Sequence, residues 1–410
     1  MTDSGNSLTA FNPEYWTGEM QVIFFKENVA IALANTKYKT LLRDGDTWNK
    51  PYRSKPFPQS YSSGVDITIK DRFATNEAGT VDTANVVPFY VDDLDKIMNK
   101  WDSAKAFAVD GMRSLNNKLD QAISGEVKNA LNTVDDGSIG GTAGNAITVS
   151  VNNINQVWAA GQRVLDGLNI PIEQRFSLVG GRVLETLRLY LAGRDTPQGD
   201  KVGMNGKVME RFGFDIFYSN NVYYTATLNA ATNPTAADTV TINGATMEFV
   251  ADADTVSDDA YLGVLRDGST VDTSFAALTA CINDSGTAGT TYSDPDAEND
   301  GARWKLINAG IVATHSTGND TVKIVGYGDI VVSEGLTATA DIWSEQVQHC
   351  LFGMKGATDL VVQKSPNIEF RLAEKRLGRY VYPWHLFGKK TFLDMTGAII
   401  DVQVDASSWV

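Results

Sequence analysis

The longest periodic pattern in the chain predicts a single helix over residues 94–131. Apolar or small residues recur there at spacings of three and four, which places them on one helical face: Leu94, Ile97, Trp101, Ala104, Ala108, Met112, Leu115, Leu119, Ile123, Val127 and Leu131. Asp92 or Asp93 is suited to cap its start. About 40 residues rising about 1.5 Å each give a rod of about 60 Å. Gly111 and Gly125 weaken this helix and are places where it can bend.

The segment before this helix has the pattern of an arm rather than of a packed domain. Residues 14–35 predict an amphipathic helix. Residues 46–91 predict an extended hairpin arm with few core residues of its own, because prolines and glycines interrupt any helical pattern. Within the arm, Val65–Lys70 alternates apolar and polar residues as a half-buried strand does, and Val86–Val91 is a second strand-like run.

The region after the helix predicts an α/β fold. A small-residue linker covers residues 137–147. The patterns that follow predict two helices and two strands: helices at 152–165 and 182–191, and strands at 175–179 and 214–218. Near the C-terminus we expect a helix at 346–354 and strands at 359–363 and 392–404.

The region between these two parts carries a strong hairpin signal. Two strand-like runs, 240–242 and 246–250, flank Asn243-Gly244, and this dipeptide suits the positive φ angles of a type I′ turn. Further elements are a helix capped by Thr273 or Ser274 and strands at 304–307, 311–314 and 322–325. We interpret the region as a small α+β or mostly-β domain.

Acidic residues are concentrated in the same region, residues 225–345. It holds 18 Asp and Glu against four basic residues, a net charge of −14, whereas the other 289 residues hold 32 acids and 31 bases. A charge break of this kind marks a separate module inserted into a nearly neutral host. The acidic total of −15 also argues against a protein whose whole surface attracts phosphate.

Length and composition limit the class of protein. A chain of 410 residues suggests two or three domains, and 43% hydrophobic residues are ample for packed cores. Neither a secretory signal nor an apolar run of about 18 residues is visible, so we expect no membrane partner. Cys281 and Cys350 form no framework, which predicts two reduced thiols in a cytoplasmic product.

The residue pattern gives catalysis little support. His315, His349 and His385 are scattered without metal spacing, and Cys350 points to a different face from His349 on either a helix or a strand. Phosphate-loop, zinc-protease and nucleophile-elbow motifs are missing. The acids within 294–300 resemble alternating Ca²⁺ ligands but lack the EF-hand pattern, so a solvated loop is the better interpretation. We predict no enzyme, no cofactor, and no catalytic, cofactor-binding or metal residue.

One basic concentration interleaved with aromatic residues lies between residues 364 and 394. Its basic members are Lys364, Arg371, Lys375, Arg376, Arg379, Lys389 and Lys390. The first interpretation is a subunit-contact surface with salt bridges. The second is a weak, sequence-independent attraction to packaged nucleic acid.

The order of these elements resembles the major capsid proteins of tailed phages, whose fold also builds encapsulin shells and the floor of herpesvirus capsids. Short strings are similar too: Val91-Asp92-Asp93 before the long helix, Ile170-Pro171 through Arg175–Val179, Gly206-Lys207-Val208 through Gly213–Asn220, Tyr382–Lys390 and Gly397–Ile400. The resemblance covers residues 14–223 and 346–404. The chain departs from the family's usual pattern at 225–345, although some short-tailed phage coat proteins carry an insertion at a comparable point.

The resemblance implies an α+β chain with the phage major-capsid fold, divided into five parts: an N-terminal arm (1–45), an extended β arm (46–91), a spine helix and peripheral domain (92–147 with 364–410), an axial domain (148–224 and 346–363) and the acidic insertion domain (225–345). The implied function is self-assembly into hexamers and pentamers of an icosahedral shell around DNA. The implied location is the virion capsid, assembled in the host bacterial cytoplasm.

The resemblance also implies partners, and it leaves two alternative functions open. A scaffolding protein, a portal, a decoration protein and non-specific double-stranded DNA on the inner face are the expected partners beside the chain itself. Some capsids of this fold are cross-linked between a lysine and an asparagine, and Lys50, Lys55 and Lys70 lie on the arm. The alternatives are an encapsulin-like compartment shell and a soluble enzyme that uses the insertion as a lid.

Overall fold

The computed structural model describes residues 26–408 apart from 41–44, 54–55, 70–73, 93–102, 195–207, 209, 231, 252–260, 267–269, 287–290, 294–300, 317, 319, 338–341 and 373–376. The α-helices in the described residues are α1 Ser103–Ser124, α2 Ile154–Gly167, α3 Gly181–Ala192, α4 Val271–Asn283 and α5 Ala302–Asn308. Short 3-10 helices lie at Ala30–Leu33, Lys37–Thr40, Gly125–Asn129, Asp136–Ile139 and Thr396–Ala398.

The strands of the described residues form four sheets. In chain order they are β1 Thr47–Arg53, β2 Ala74–Thr80, β3 Thr83–Val86, β4 Phe89–Asp92, β5 Asn132–Val134, β6 Arg175–Val179, β7 Glu210–Arg211, β8 Phe214–Tyr218, β9 Tyr223–Asn229, β10 Thr239–Ile242, β11 Ala245–Val250, β12 Leu262–Leu265, β13 Tyr292–Ser293, β14 Val312–Ser316, β15 Thr321–Tyr327, β16 Val332–Gly335, β17 Ile342–Met354, β18 Thr358–Leu372, β19 Gly378–Thr391 and β20 Ile399–Asp405.

The arm is a two-stranded ribbon. Strands β1 and β2 pair antiparallel over their whole length, from Thr47 opposite Thr80 to Arg53 opposite Ala74. The predicted strand at Val65–Lys70 is wrong for residues 65–69, which form a coil and pair with no strand of the described residues, and Lys70 lies outside the described residues. A strand that lacks a neighbour in its own chain has no hydrogen-bonding partner to define it. The predicted run Val86–Val91 is divided by Pro88 into β3 and β4.

The spine helix α1 buries one face, as its periodicity predicts. Leu115, Leu119 and Ile123 are each at most 4% exposed. The predicted start lies outside the described residues, and the α-helix ends at Ser124 rather than at residue 131, because the chain tightens into the 3-10 turn at Gly125–Asn129. The predicted helix at 14–35 is wrong where it is described, since only Ala30–Leu33 forms a 3-10 turn; residues 14–25 lie outside the description.

A four-stranded sheet packs against the spine helix. β19 is its centre, with β18 along one edge and β3 and β4 in succession along the other. Buried Leu360 and Phe387 from this sheet meet Leu119 and Ile123 of α1 in one apolar cluster. The predicted strand at 359–363 is present as the start of β18, which runs much further.

A nine-stranded sheet forms the second core. Its path is β14-β15-β9-β17-β6-β8-β7, with β20 paired to β17 and β5 paired to β20. Helices α2 and α3 cover one face, where the rings of Trp158 and Phe214 each lie 5.4 Å from that of Phe352. The strands predicted at 175–179 and 214–218 are confirmed residue for residue, and both predicted helices are present.

The predicted helix at 346–354 is wrong, because these residues form the central strand β17. β17 pairs on both edges, with β9 and β6 on one side of its path and with β20 on the other. Leu351 enters the cluster beneath α1, whereas Cys350 and Phe352 enter the cluster beneath α2 and α3. A strand buried on both faces has a continuous apolar run, which periodicity cannot separate from a buried helix. The strand predicted at 392–404 begins only at Ile399.

The acidic region contains its own five-stranded sheet, ordered β13-β12-β11-β10-β16. The predicted hairpin is confirmed: Asn243 and Gly244 have φ angles of 52° and 75° between β10 and β11. The cap of α4 is Thr270, whose hydroxyl accepts from the Thr273 amide, so the predicted cap is three or four residues too late. The strand predicted at 304–307 is instead the short helix α5.

The acidic region and its host share structure. Residue 225 lies within β9 and residue 345 within β17, and both strands belong to the nine-stranded sheet together with β14 and β15. One apolar cluster joins Phe249 and Phe275 of the acidic region to Tyr224 and Ala406. The charge break therefore does not coincide with the end of a sheet.

Candidate functional site

Residues 56–69 join the two strands of the arm and expose their apolar side chains. Phe57 is 83% exposed, Ile67 70% and Ile69 88%, and Tyr61 and Val65 are exposed as well. Apolar groups gathered in one exposed segment mark a protein-contact surface. We call residues 56–69 the arm segment.

The base of the arm is fixed to the four-stranded sheet. Trp48 is 7% exposed and meets the ring of Phe392 edge to face at 6.3 Å. Lys50 Nζ lies 3.0 Å from a carboxylate oxygen of Asp394. Both charged side chains are partly exposed, so the apolar contact contributes more than the ion pair. The arm segment is thus presented on a docked base.

The outer face of the four-stranded sheet carries a row of rings and cations. The contacts, by distance between ring centroids or from cation to centroid, are Tyr90–Tyr380 at 5.2 Å, Tyr380–Tyr382 at 6.1 Å, Arg371–Tyr382 at 5.8 Å and Lys364–Trp384 at 5.1 Å. Phe370 and Leu372 on the edge strand β18 are 60% and 76% exposed. This face is a second surface suited to contact with protein.

Several members of the predicted basic concentration are paired within the chain. Lys389 Nζ lies 3.3 Å from Glu126, and burial lowers the pKa of Lys389 while the Glu126 charge opposes that shift. Lys390 Nζ lies 3.2 Å from Glu77. Residues 375 and 376 lie outside the described residues. Lys389 and Lys390 are thus engaged within the chain, and both interpretations of this segment remain predictions.

The three histidines lie apart, as their spacing predicts. His315 on β14 pairs with Asp272 at 3.0 Å. His385 on β19 is buried against Asn85, and burial lowers the pKa of its ring. His349 lies on β17, with Cys350 buried on the opposite face of that strand. A Cys–His dyad is therefore absent at this point.

Sequence reasoning missed one polar constellation around His349. Its Nδ1 lies 2.9 Å from both carboxylate oxygens of Asp401, and its Nε2 lies 3.0 Å from Oγ1 of Thr225. The three residues are separated by 124 and 52 positions. No local spacing signals such a group, since only the sheet register brings it together.

The two cysteines are buried thiols rather than members of a disulfide. Burial raises the pKa of Cys350 to about 12, which holds its thiol protonated. The acidic loop at 294–300 lies outside the described residues. Within the described part of the chain, no group of three or more His, Cys, Asp or Glu is arranged to hold a metal ion. No helix among these residues is long and apolar enough to cross a membrane.

Comparison with known proteins gives a match in structure only. No protein-family model matches the chain. No curated protein matches it either. A chain from Mycobacterium phage Che8 is similar in structure, with a TM-score of 0.57 and 14% identity over 97% of this chain and 98% of that one. A chain from the capsid of the cyanophage P-SCSP1u is similar with a TM-score of 0.57 and 13% identity, over 99% and 96% respectively.

At this level of identity the similarity is one of fold, and it extends over nearly the whole of both chains. It includes the region 225–345, because almost no part of the chain is left out of the match. The chain therefore has the α+β phage capsid fold that its sequence resemblance predicts.

Proposed function

We propose that this chain is the major capsid protein of a tailed bacteriophage, which assembles as hexamers and pentamers into an icosahedral shell around DNA. The observation that carries the proposal is the nearly full-length match in fold to a phage capsid chain. The role is structural, and the place of action is the virion capsid, built in the cytoplasm of the host bacterium.

The arm segment supports self-assembly on physical grounds. Val65, Ile67 and Ile69 are 61–88% exposed in the single chain. Fully burying one such side chain contributes about 1.5–3 kcal/mol. A neighbouring copy that covers the segment gains this energy at every contact of a repeating lattice. The docked base limits the conformational entropy that is lost on contact.

We further propose that the five-part division of the chain holds in the shell, with the acidic insertion on the outer face. The host carries 32 acids and 31 bases, so that copies packed edge to edge do not repel one another. The net charge of −14 in residues 225–345 would repel packaged DNA if it faced inward. Density for residues 225–345 inside the shell would contradict their placement on the outer face.

Contacts with DNA are proposed as weak and independent of sequence, and a scaffolding protein, portal and decoration protein as further partners. Covalent cross-linking through the arm lysines is not part of the proposal, since Lys50 already pairs with Asp394. Lys55 and Lys70 lie outside the described residues. Boiled, reduced samples that run only as single chains on a gel agree with this, whereas a ladder of multiples contradicts it.

The direct test is negative-stain microscopy of the purified chain, alone and co-expressed with a scaffolding protein. Closed shells or capsomer rings support the proposal. Nuclease-protected DNA inside particles separates a phage capsid from a compartment shell filled with an enzyme cargo. A monodisperse monomer under both conditions contradicts assembly and favours the alternative of a soluble enzyme.

A further inference from the structure

Three side chains from three strands meet on one face of the nine-stranded sheet. Thr225 lies on β9, His349 on β17 and Asp401 on β20. His349 is opposite Tyr223 of β9 and opposite Gln403 of β20. Because residues two positions apart on a strand share a face, Thr225 and Asp401 are the diagonal neighbours of His349 on its two sides.

The hydrogen bonds determine where the imidazole proton lies. The carboxylate of Asp401 can only accept, so Nδ1 of His349 carries the proton and donates across 2.9 Å. Nε2 then presents a lone pair to the hydroxyl of Thr225 at 3.0 Å. Nε2 of Gln403 donates to Asp401 across 3.1 Å and holds the carboxylate in place. The result is a hydroxyl, a base and an orienting acid in series.

Two members of this series line a cleft. Thr225, His349 and Gln403 line a cleft of about 660 Å³, within the range of about 300–1,000 Å³ typical of ligand sites. Lys323 lines it too, together with the acids Asp136, Glu345 and Asp405. Lys323 lies opposite Thr227 in the register, one position along the same sheet face from Thr225. A cation so placed can offset negative charge on a reacting carbonyl oxygen.

We propose that Thr225 is a nucleophile that accepts an acyl group from an ester bound in this cleft, with His349 as its base. Oγ1 of Thr225 bonds to the carbonyl carbon while its proton passes to Nε2 of His349. The bond from that carbon to the alcohol oxygen then breaks, and His349 returns the proton to the departing alkoxide. Water attacks the acyl-threonine by the same route, which releases the carboxylic acid and restores the hydroxyl.

The roles differ among the residues. Thr225 and His349 touch the reacting atoms, whereas Asp401 is a positioning residue that holds the tautomer of His349. The γ-methyl group of Thr225 crowds the attacking oxygen, so acyl transfer is slow. This activity is independent of the structural role, because it needs only one chain. Its failure would leave the assembly test untouched, and failure to assemble would leave this reaction measurable.

The experiment mixes the full-length chain with p-nitrophenyl acetate and follows nitrophenolate release. The expected result is a burst of about one nitrophenolate per chain followed by slow turnover, as for an accumulating acyl-enzyme. Peptide mapping by mass spectrometry then locates one acetyl group on Thr225. Acetyl groups found only on lysines or the N-terminus overturn the proposal.

Matched variants separate catalysis from folding. Thr225→Val removes the hydroxyl at nearly constant volume and abolishes the burst, whereas Thr225→Ser keeps the hydroxyl, loses the crowding methyl and reacts at least as fast. His349→Gln lowers the burst rate by about 100-fold or more. Thr227→Val is the control, since that hydroxyl bonds to Glu345 at 3.3 Å rather than to a histidine. Equal bursts from the native chain and Thr225→Val contradict the proposal, and circular dichroism checks that every variant is folded.

Discussion

Asp120 on α1 is a fully buried carboxylate that holds the N-terminal segment against the spine helix. It accepts from the amides of Ala30 at 2.7 Å and Ile31 at 3.3 Å, and from the side chain of Asn221 at 2.9 Å. Burial raises the pKa of Asp120 even though these three donors favour its charged form. Asp120 thus joins the N-terminal segment and the spine helix to the turn that precedes β9.

Replacing Asp120 with alanine is expected to lower the free energy of unfolding by about 3 kcal/mol, because two buried donors and one partly buried donor lose their acceptor. Hydrogen exchange at Ala30 and Ile31 should accelerate in the same variant. The control is Asp110→Ala on the same helix, where an exposed pair with Arg113 at 3.7 Å contributes less than about 1 kcal/mol. Equal losses for the two variants would refute the anchoring role of Asp120.

Cys350 is predicted to be inert in the folded chain. Its thiol is fully buried and its pKa is raised to about 12, so little thiolate forms at pH 8 and reagents cannot reach it. Iodoacetamide at pH 8 should leave Cys350 unlabelled in native protein and label it in denaturant. Rapid labelling of the native chain would show that the core beneath α2 and α3 opens.

At the scale of elements, the docking of the arm depends on a glycine. A Cβ at Gly79 would overlap the indole of Trp48, the residue that fixes β1 and β2 to the four-stranded sheet. Gly79→Ala should therefore destabilise the fold by about 1–3 kcal/mol through overpacking. Adding Trp48→Leu makes room for the methyl group. The double variant should therefore lose less free energy of unfolding than the two single variants lose together. Additive losses, measured by denaturant unfolding, would contradict this contact.

The arm segment offers a second test at this scale. Changing Val65, Ile67 and Ile69 together to serine should alter the unfolding free energy of the single chain by less than about 0.5 kcal/mol, because all three are exposed. The same variant should fail to form shells. Changing Ser60, Ser62 and Ser63 to alanine is the control and should assemble normally. Normal shells from the apolar-to-serine variant would exclude the arm segment as a subunit contact.

The elements predicted correctly are those whose signals are local. Asn243-Gly244 encodes its turn in two residues, and the apolar stripe of α1 is visible without any neighbour. The central strand β17 was missed because its two faces enter different cores, so its apolar residues run together. The Thr225–His349–Asp401 series was invisible for a related reason, since only the strand register assembles it.

In the molecule as a whole, the charge distribution and the sheet topology place the limits of the acidic region at different residues. The charge break isolates residues 225–345, yet β9 and β17 cross its two limits and carry the acidic region into the nine-stranded sheet. Because the acidic region shares the nine-stranded sheet with the rest of the chain, it moves with that sheet rather than on a flexible linker. Copies in a shell would therefore hold their acidic regions at a defined position.

The proposal that copies of this chain build a shell is tested most sharply by a cryo-electron microscopy reconstruction of particles from co-expression with a scaffolding protein. We expect an icosahedral shell in which the arm segment of each copy lies over a neighbouring copy and residues 225–345 face outward. Preparations that contain only single chains, or shells in which the arm segment touches no neighbour, would contradict it.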